Sequence, residues 1–404
     1  MSRRVFLQLV PAALAIPVNA QSSGAPVPFR VDVPEAAIVR IMNRVRETRL
    51  PSRLAAPDWR YGVNWDYMQS LVEYWTNRFD WRKAEANLNR FPQFRTRIDG
   101  YDIHFYHVRG RGPRPLPLVL THGWPGSVFE FLEAIGPLSD PARFGGTAED
   151  AFDVIVPSIP GFGFSSKPTA PIGHPTIARL WHSLMTDVLG YTSFGAQGGD
   201  LGSGVTRELA IAFPRNVIGI HVNGISAVSM PSDGGSEEEK RWQAANQRFR
   251  DVEFDYFREH QRKPSTVEFA LHDNPVGTAA WMTEKFKIWS DSGDDIERAF
   301  TKDQLLTNIM IYLVTETAGT AVWLYRGVAD EPASTPPGGT LNTPLGFASF
   351  PAEMPPLNPP RTLVERNHNL VHYTKMPKGG HFACLEQPAL FVEDVRQFFR
   401  KVRT

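Results

Sequence analysis

The sequence is almost without cysteine: Cys384 is the only one. That excludes an internal disulfide framework and any cysteine-rich zinc site. It has no net charge either, since 43 Lys and Arg balance 43 Asp and Glu. Such a balance gives no electrostatic reason to bind nucleic acid. Long apolar runs are missing. A membrane span needs about 20 apolar residues. The N-terminal run from Leu9 to Val18 is shorter and is broken by Pro11 and Pro17.

What is present is a chain of 404 residues, 42% of them hydrophobic. That is a globular composition, with length for two or three structural units. The 26 Phe and 10 Trp suit a large core and an apolar pocket. The first residues read as a targeting segment. Ser2-Arg3-Arg4-Val5-Phe6-Leu7 resembles a bacterial twin-arginine export signal, and Val18-Asn19-Ala20 offers a small-residue cleavage site. Residues 1–20 are therefore expected to direct export to the periplasm or beyond, leaving no stable membrane span after their removal. Residues 21–27, rich in Ser, Gly and Pro, read as a linker.

An N-terminal helical extension is expected over 28–98. Ile38, Ile41, Met42 and Val45 recur at helical spacing, as do Trp65, Met68, Leu71, Val72 and Trp75. Asp80 is placed to cap a third helix. Phe94 to Ile98 reads as an edge strand, and Tyr101 to Val108 as its hairpin partner.

Across 99–225, short apolar runs alternate with helical segments. Leu116–Thr121, Phe152–Pro157 and Val217–Val222 have the near-continuous apolarity of buried parallel strands. Helices are expected from Phe129 to Ile135 and from Ile177 to Leu189. The pattern then changes over 226–335. Glu237–Arg241, Phe249–Tyr256, Trp281–Trp289 and a long stretch from Leu305 to Trp323 read as helices of a lid. Over 336–404 the sheet resumes with Pro344–Phe350 and Leu370–Lys375, and Pro388–Val402 closes the chain as a helix. The expected class is an α/β-hydrolase fold, with a mostly parallel central sheet, a helical lid insertion and the N-terminal extension.

The chemistry centres on Gly198-Gly199-Asp200-Leu201-Gly202. This is the Gly-x-nucleophile-x-Gly turn of the α/β-hydrolases, with aspartate where serine usually stands. The flanking glycines suit a sharp strand-to-helix turn, where a Cβ would clash. An aspartate is ionised at neutral pH and can attack carbon without a base. The substitution excludes a serine esterase. Upstream, His122-Gly123-Trp124-Pro125-Gly126-Ser127 follows a predicted strand. The N–H groups of Trp124 and Leu201 are candidates for an oxyanion hole, with Gly123 and Pro125 shaping the loop. His122 is expected to orient that loop and transfer no proton. Downstream, Gly379-Gly380-His381-Phe382 places a histidine after the last strand, the chain order of this fold. His381 is the candidate base for a water. Glu353 and Glu365 are candidates to orient it; Glu353 follows a strand and is preferred.

These three segments, with Phe350-Pro351-Ala352-Glu353, resemble the microsomal-type epoxide hydrolases, the group that includes the juvenile hormone epoxide hydrolases. The resemblance runs from about Pro28 to the C-terminus. It implies Asp200 as nucleophile, Glu353 as charge-relay acid and His381 as base. It also implies two lid tyrosines on the epoxide oxygen, and Tyr256 and Tyr325 fall at their places. Its implied partners are a small lipophilic epoxide and water, with no cofactor or metal required. The microsomal members of mammals carry a membrane anchor where this chain has an export signal. The extension could pack within its own chain or join two copies as a homodimer. Two other readings remain open at this level. A haloalkane dehalogenase shares the aspartate but usually has Trp directly after it, where this chain has Leu201. A non-enzymatic lipid carrier would not need Asp, His and Glu together.

Overall fold

The computed structural model describes residues 24–55, 58–226, 228–336 and 339–403. Within them one sheet of nine strands carries the architecture. The strands are β1 (Val27–Phe29), β2 (Gln93–Ile98), β3 (Tyr101–Val108), β4 (Leu116–Thr121), β5 (Phe152–Pro157), β6 (Phe194–Gly198), β7 (Val217–Val222), β8 (Leu341–Ser349) and β9 (His368–Lys375). Their order in space is β1-β2-β3-β5-β4-β6-β7-β8-β9. β1 to β3 form an antiparallel edge that joins β5, and every pairing from β5 to β9 is parallel.

This order places the site. From β4 the chain builds outward to β5 on one side, then crosses back to β6 on the other. The crevice at such a reversal, at the C-terminal ends of the strands, is where open α/β sheets bind ligands. The loop after β4 begins at His122, and the turn after β6 holds Asp200.

Buried parallel strands must be apolar on both faces. Every residue of β5 is buried, as are Leu118, Val119 and Leu120 of β4. The C-terminal helix Pro388–Val402 packs on β7, β8 and β9. It brings a buried carboxylate into that core. Asp394 accepts hydrogen bonds from His221 (2.9 Å) and His372 (2.8 Å), and Thr374 bonds it too. Burial alone would raise its carboxyl, but bonds from His221, His372 and Thr374 hold it well below the carboxylate range. Removing one member of a buried charged cluster strands the others, so Asp394→Ala is expected to cost about 3–5 kcal/mol. Because the folded value is depressed, this stabilisation is present above about pH 4 and is lost as pH falls toward the folded value. Urea unfolding of wild type and variant across that range checks both statements.

Six α-helices lie between β7 and β8 among the described residues: Glu237–Glu253, Asp255–Arg262, Pro264–Leu271, Pro275–Ile288, Lys302–Val314 and Trp323–Asp330. The extension contributes Glu35–Glu47, Trp65–Asn77 and Trp81–Leu88. Asp80 caps the last of these, accepting from the Arg82 and Lys83 amides. Glu35–Glu47 packs on the lid helices Pro275–Ile288 and Lys302–Val314. Arg40 there pairs with Asp273 (3.0 Å) and Glu316 (2.9 Å). These exposed pairs contribute little energy; the buried Ile38, Ile41 and Val45 carry the contact.

Four local expectations are corrected. β2 is not an edge strand, because β1 pairs with its outer side. The expected linker therefore ends earlier: Gly24 donates to the Arg97 carbonyl (3.0 Å), and Val27 is already in β1. Pro28 hides β1 from sequence, but an edge strand tolerates a missing donor. The helix expected over Phe249–Tyr256 is two helices meeting at Phe254. The stretch Leu305–Trp323 is also divided. Its first helix stops at Val314, Glu316 takes a left-handed backbone (φ 54°), and a new helix starts at Trp323. The helix after Gly173 passes into a wider π turn over Leu184–Val188. The expected export signal, residues 1–20, lies outside the described residues. Among the described residues no helix is long and apolar enough to cross a membrane.

Candidate active site

Asp200 stands on the turn between β6 and the helix Leu201–Ala212, with φ 48° and ψ −131°. A side chain rarely adopts this backbone, and its cost is borne because the turn aims the carboxylate out of the sheet. The neighbours must be small. A Cβ on Gly198 would collide with the Gly202 carbonyl, and one on Gly202 with the Thr121 carbonyl.

Two groups meet the carboxylate. The Trp124 backbone N–H donates to Oδ1 (2.9 Å). His381 Nε2 lies 3.3 Å from Oδ2. The other ring nitrogen of His381, Nδ1, is 2.8 Å from Glu353 Oε1. His381 and Glu353 are both buried. Their loops are joined: Ala352 N–H donates to the Gly379 carbonyl (3.1 Å), and Ala352 bridges Gly380. Glu365, the other acid considered, pairs with exposed Arg361 (2.7 Å) and has no part here. Burial opposes a charge on His381. The carboxylates of Glu353 and Asp200 overcome it and hold the imidazole proton well above the ordinary histidine value. Resting His381 is thus an imidazolium between two carboxylates.

The other loop residues fall into place around this line. His122 is fully used: Nδ1–H donates to the Gly123 carbonyl (3.1 Å), and Nε2 accepts from the Ile159 amide (3.2 Å). Burial lowers it to about 4, so it stays neutral. Pro125 follows Trp124, and its carbonyl accepts from Asn308 of the lid (2.7 Å). Tyr312 of the same lid helix donates to the Gly126 carbonyl. Leu201 is the first residue of its helix, so its N–H has no acceptor within that helix.

Tyr256 and Tyr325 come from lid helices that pack on each other, with ring centroids 6.0 Å apart. Both face the Asp200 side. With Asp200 they line a cavity of about 190 Å³, walled by Phe254, Phe257, Val328, Met354 and Leu357. Burial, reinforced by the Asp200 charge, raises both phenols well above 10, so both keep their protons at neutral pH. The Tyr325 hydroxyl is buried, and the polar group it interacts with is the Tyr256 phenol.

Sequence reasoning did not find three neighbours of these tyrosines. His260 sits between them, with ring centroids 5.5 Å from Tyr256 and 4.8 Å from Tyr325. Its Nε2 accepts from the Trp281 indole (3.1 Å), and burial lowers it to about 3. Lys285 is buried with its ammonium 4.7 Å from the centre of the Tyr256 ring. A cation over a ring draws electron density from it and makes the phenol a better donor. Trp289 stacks on His381 (5.2 Å, edge to face), and its carbonyl accepts from the His381 amide (2.9 Å). His260 follows Tyr256 by one helical turn, the one signal that could have marked it.

The arrangement offers a carboxylate nucleophile, a histidine–acid pair behind it, backbone donors beside it and two protonated phenols across a cavity. Comparison with known proteins agrees in kind. Residues 26–131 match the family model for the epoxide hydrolase N terminus, and residues 117–269 match the alpha/beta hydrolase fold. The chain is 45% identical to a Stigmatella aurantiaca protein provisionally named epoxide hydrolase, over 93% of this chain and 85% of that one. It is 34% identical to epoxide hydrolase 1 of Sus scrofa, over 92% and 88%. The crystal structure of juvenile hormone epoxide hydrolase from Bombyx mori superposes with a TM-score of 0.84, at 27% identity, over 94% of this chain and 95% of that one.

Proposed function

The chain belongs to the epoxide hydrolases, and we propose that it converts lipophilic epoxides to vicinal diols through an ester on Asp200. One observation carries the assignment of roles: Asp200 and the two protonated tyrosines share one cavity, and His381 reaches Asp200 from outside it.

Asp200 Oδ2 attacks the less hindered epoxide carbon from the back. The ring C–O bond breaks, and the released oxygen takes a proton from Tyr256 or Tyr325. A phenol suits this task because it stays protonated at neutral pH and still donates strongly. Oδ1 becomes the ester carbonyl oxygen, already bonded to the Trp124 N–H. Ester formation removes the Asp200 charge that held the His381 proton. His381 then releases that proton to solvent, the tyrosine regains one from solvent, and His381 becomes a free base. It then takes a proton from water as the water attacks Asp200 Cγ. Trp124 and Leu201 N–H groups hold the resulting oxyanion. Collapse breaks the bond between Cγ and the alkyl oxygen, His381 returns the proton to the departing diol, and the new Asp200 acid gives its own proton to His381, which restores the resting pair. Glu353 holds the imidazole in place and stabilises its charge.

The walls of Phe254, Phe257, Val328, Met354 and Leu357 favour an apolar substituent on the epoxide. Diol formation from a panel of aryl and long-chain alkyl epoxides tests the reading. Turnover of at least the aryl members is expected. A folded enzyme that turns over none of them and releases halide from haloalkanes instead would contradict it. The tyrosines give a sharper expectation. Removing one oxyanion donor typically costs about 10²–10³-fold, so Tyr325→Phe should slow ester formation by roughly 10²-fold and leave ester hydrolysis nearly unchanged. Single-turnover mass spectrometry separates the two steps.

Export is part of the same proposal. Arg3-Arg4 before an apolar run supports folding in the cytosol and transfer by the twin-arginine route. Replacing both arginines by lysine should leave the enzyme in the cytosol on cell fractionation.

A further inference from the structure

Behind the two tyrosines lies a hydrogen-bond donor with nothing to donate to. His260 is fully buried. Its Nε2 must accept from the Trp281 indole, because an indole N–H only donates. The proton of the neutral imidazole is therefore on Nδ1. That Nδ1–H has no hydrogen-bond partner among the described residues. Aromatic rings surround the imidazole edge to face: Tyr325 at 4.8 Å, Trp124 at 4.7 Å and Tyr256 at 5.5 Å between centroids. A buried donor left unpaired is unfavourable at rest, and its place beside the reacting phenols gives it a role. None of the steps above uses it.

We propose that His260 is a positioning residue for Tyr325, its Nδ1–H held for the phenolate that forms when Tyr325 protonates the epoxide oxygen. The inference rests on the epoxide-opening reading of the site. Tyr325 is the nearer of the two phenols by ring separation. As the epoxide C–O bond breaks, the released oxygen takes the Tyr325 proton, and a negative phenol oxygen is left in a buried enclosure. His260 supplies a donor to it. No proton leaves Nδ1, and the interaction ends when the phenolate takes a proton from solvent. A donor satisfied only once the proton moves favours the transition state over the resting enzyme. Two neighbours prepare it. The Trp281 N–H fixes the tautomer and, by polarising the ring from Nε2, strengthens Nδ1–H as a donor. Burial, with the Lys285 ammonium adding to it, keeps the imidazole neutral. A protonated ring could not accept from Trp281 at all.

The test follows a single turnover of styrene oxide by rapid quench and mass spectrometry, which separates ester formation from ester hydrolysis. His260→Phe keeps a ring and loses the donor. It should slow ester formation by about 10- to 100-fold, at or below the cost of a lost oxyanion donor, and leave hydrolysis within about twofold of wild type. Trp281→Phe keeps His260 but frees its tautomer, and should slow the same step alone, even where His260→Phe does not fold. His260→Gln offers both an acceptor for Trp281 and an N–H, and should recover part of the rate lost in His260→Phe. A purely structural role would not pass the next comparison. In a Tyr325→Phe background, His260→Phe should slow ester formation by less than about twofold further, because the phenolate it serves is gone. Nitrogen-15 NMR of the resting enzyme should find the His260 proton on Nδ1, with no titration between about pH 5 and 8. Full further slowing in the Tyr325→Phe background, equal slowing of both steps, unchanged ester formation in either single variant, or a proton on Nε2 overturns the proposal. Absence of any ester in wild type and in His381→Gln would instead refute the Asp200 reading beneath it.

Discussion

Asp200→Ala is expected to abolish diol formation, lowering kcat by about 10⁴-fold or more, the scale on which a lost nucleophile costs an enzyme. No neighbouring group can replace it. The helix and strand on either side fix the turn at Asp200 so that its carboxylate lies in the tyrosine-lined cavity, bonded to the Trp124 N–H. The fold should survive, because the strand and helix on either side hold the turn, although alanine tolerates φ 48° less well than aspartate. A second consequence separates loss of the nucleophile from loss of structure. Asp200 helps to hold the His381 proton. Without it, the His381 titration seen by NMR should move down in pH while Glu353 still bonds Nδ1.

His381→Gln should give the opposite accumulation. Ester formation needs Asp200 and a tyrosine but no base, so the variant should still be alkylated. Hydrolysis needs the base, whose removal costs typically 10²–10⁴-fold. Intact-mass spectra should show the protein heavier by one substrate, and proteolysis should place the addition on Asp200. The pH dependence has a definite sign. Resting His381 is protonated at neutral pH because two carboxylates face it. In the ester only Glu353 remains charged, so the proton is released more easily. The rate of ester hydrolysis should therefore rise with pH through a value lower than the one NMR finds for His381 in the resting enzyme. Equal values would mean that Asp200 keeps its charge during the slow step.

Much of this site was readable because its chemistry lies in contiguous stretches. The elbow around Asp200 needs its glycines within two residues on either side, so the requirement is written locally. Leu116–Thr121, Phe152–Pro157 and Val217–Val222 match β4, β5 and β7 to the residue. Buried parallel strands leave little choice but a continuous apolar run. His381 and Glu353 were found by chain order, which the fold itself imposes. What was missed depends on contacts between distant segments. Lys285 reaches the Tyr256 ring only because two lid helices cross. Asp394 meets His221 and His372 only when the last helix docks on the sheet. The helix break at Phe254 carries neither glycine nor proline, so no local signal marks it and tertiary packing sets it, whereas the break after Val314 holds Gly319, the one local mark it offers.

The central claim is that the oxygen joining the substrate comes first from Asp200 and only later from water. A single turnover in oxygen-18 water, with enzyme in excess over styrene oxide, tests it most directly. The account predicts diol without label and one oxygen-18 atom in the Asp200 carboxylate, because water attacks Cγ and the aspartate oxygen leaves with the diol. Label in the first-turnover diol and none in Asp200 would show direct attack of water on the epoxide, and would contradict it.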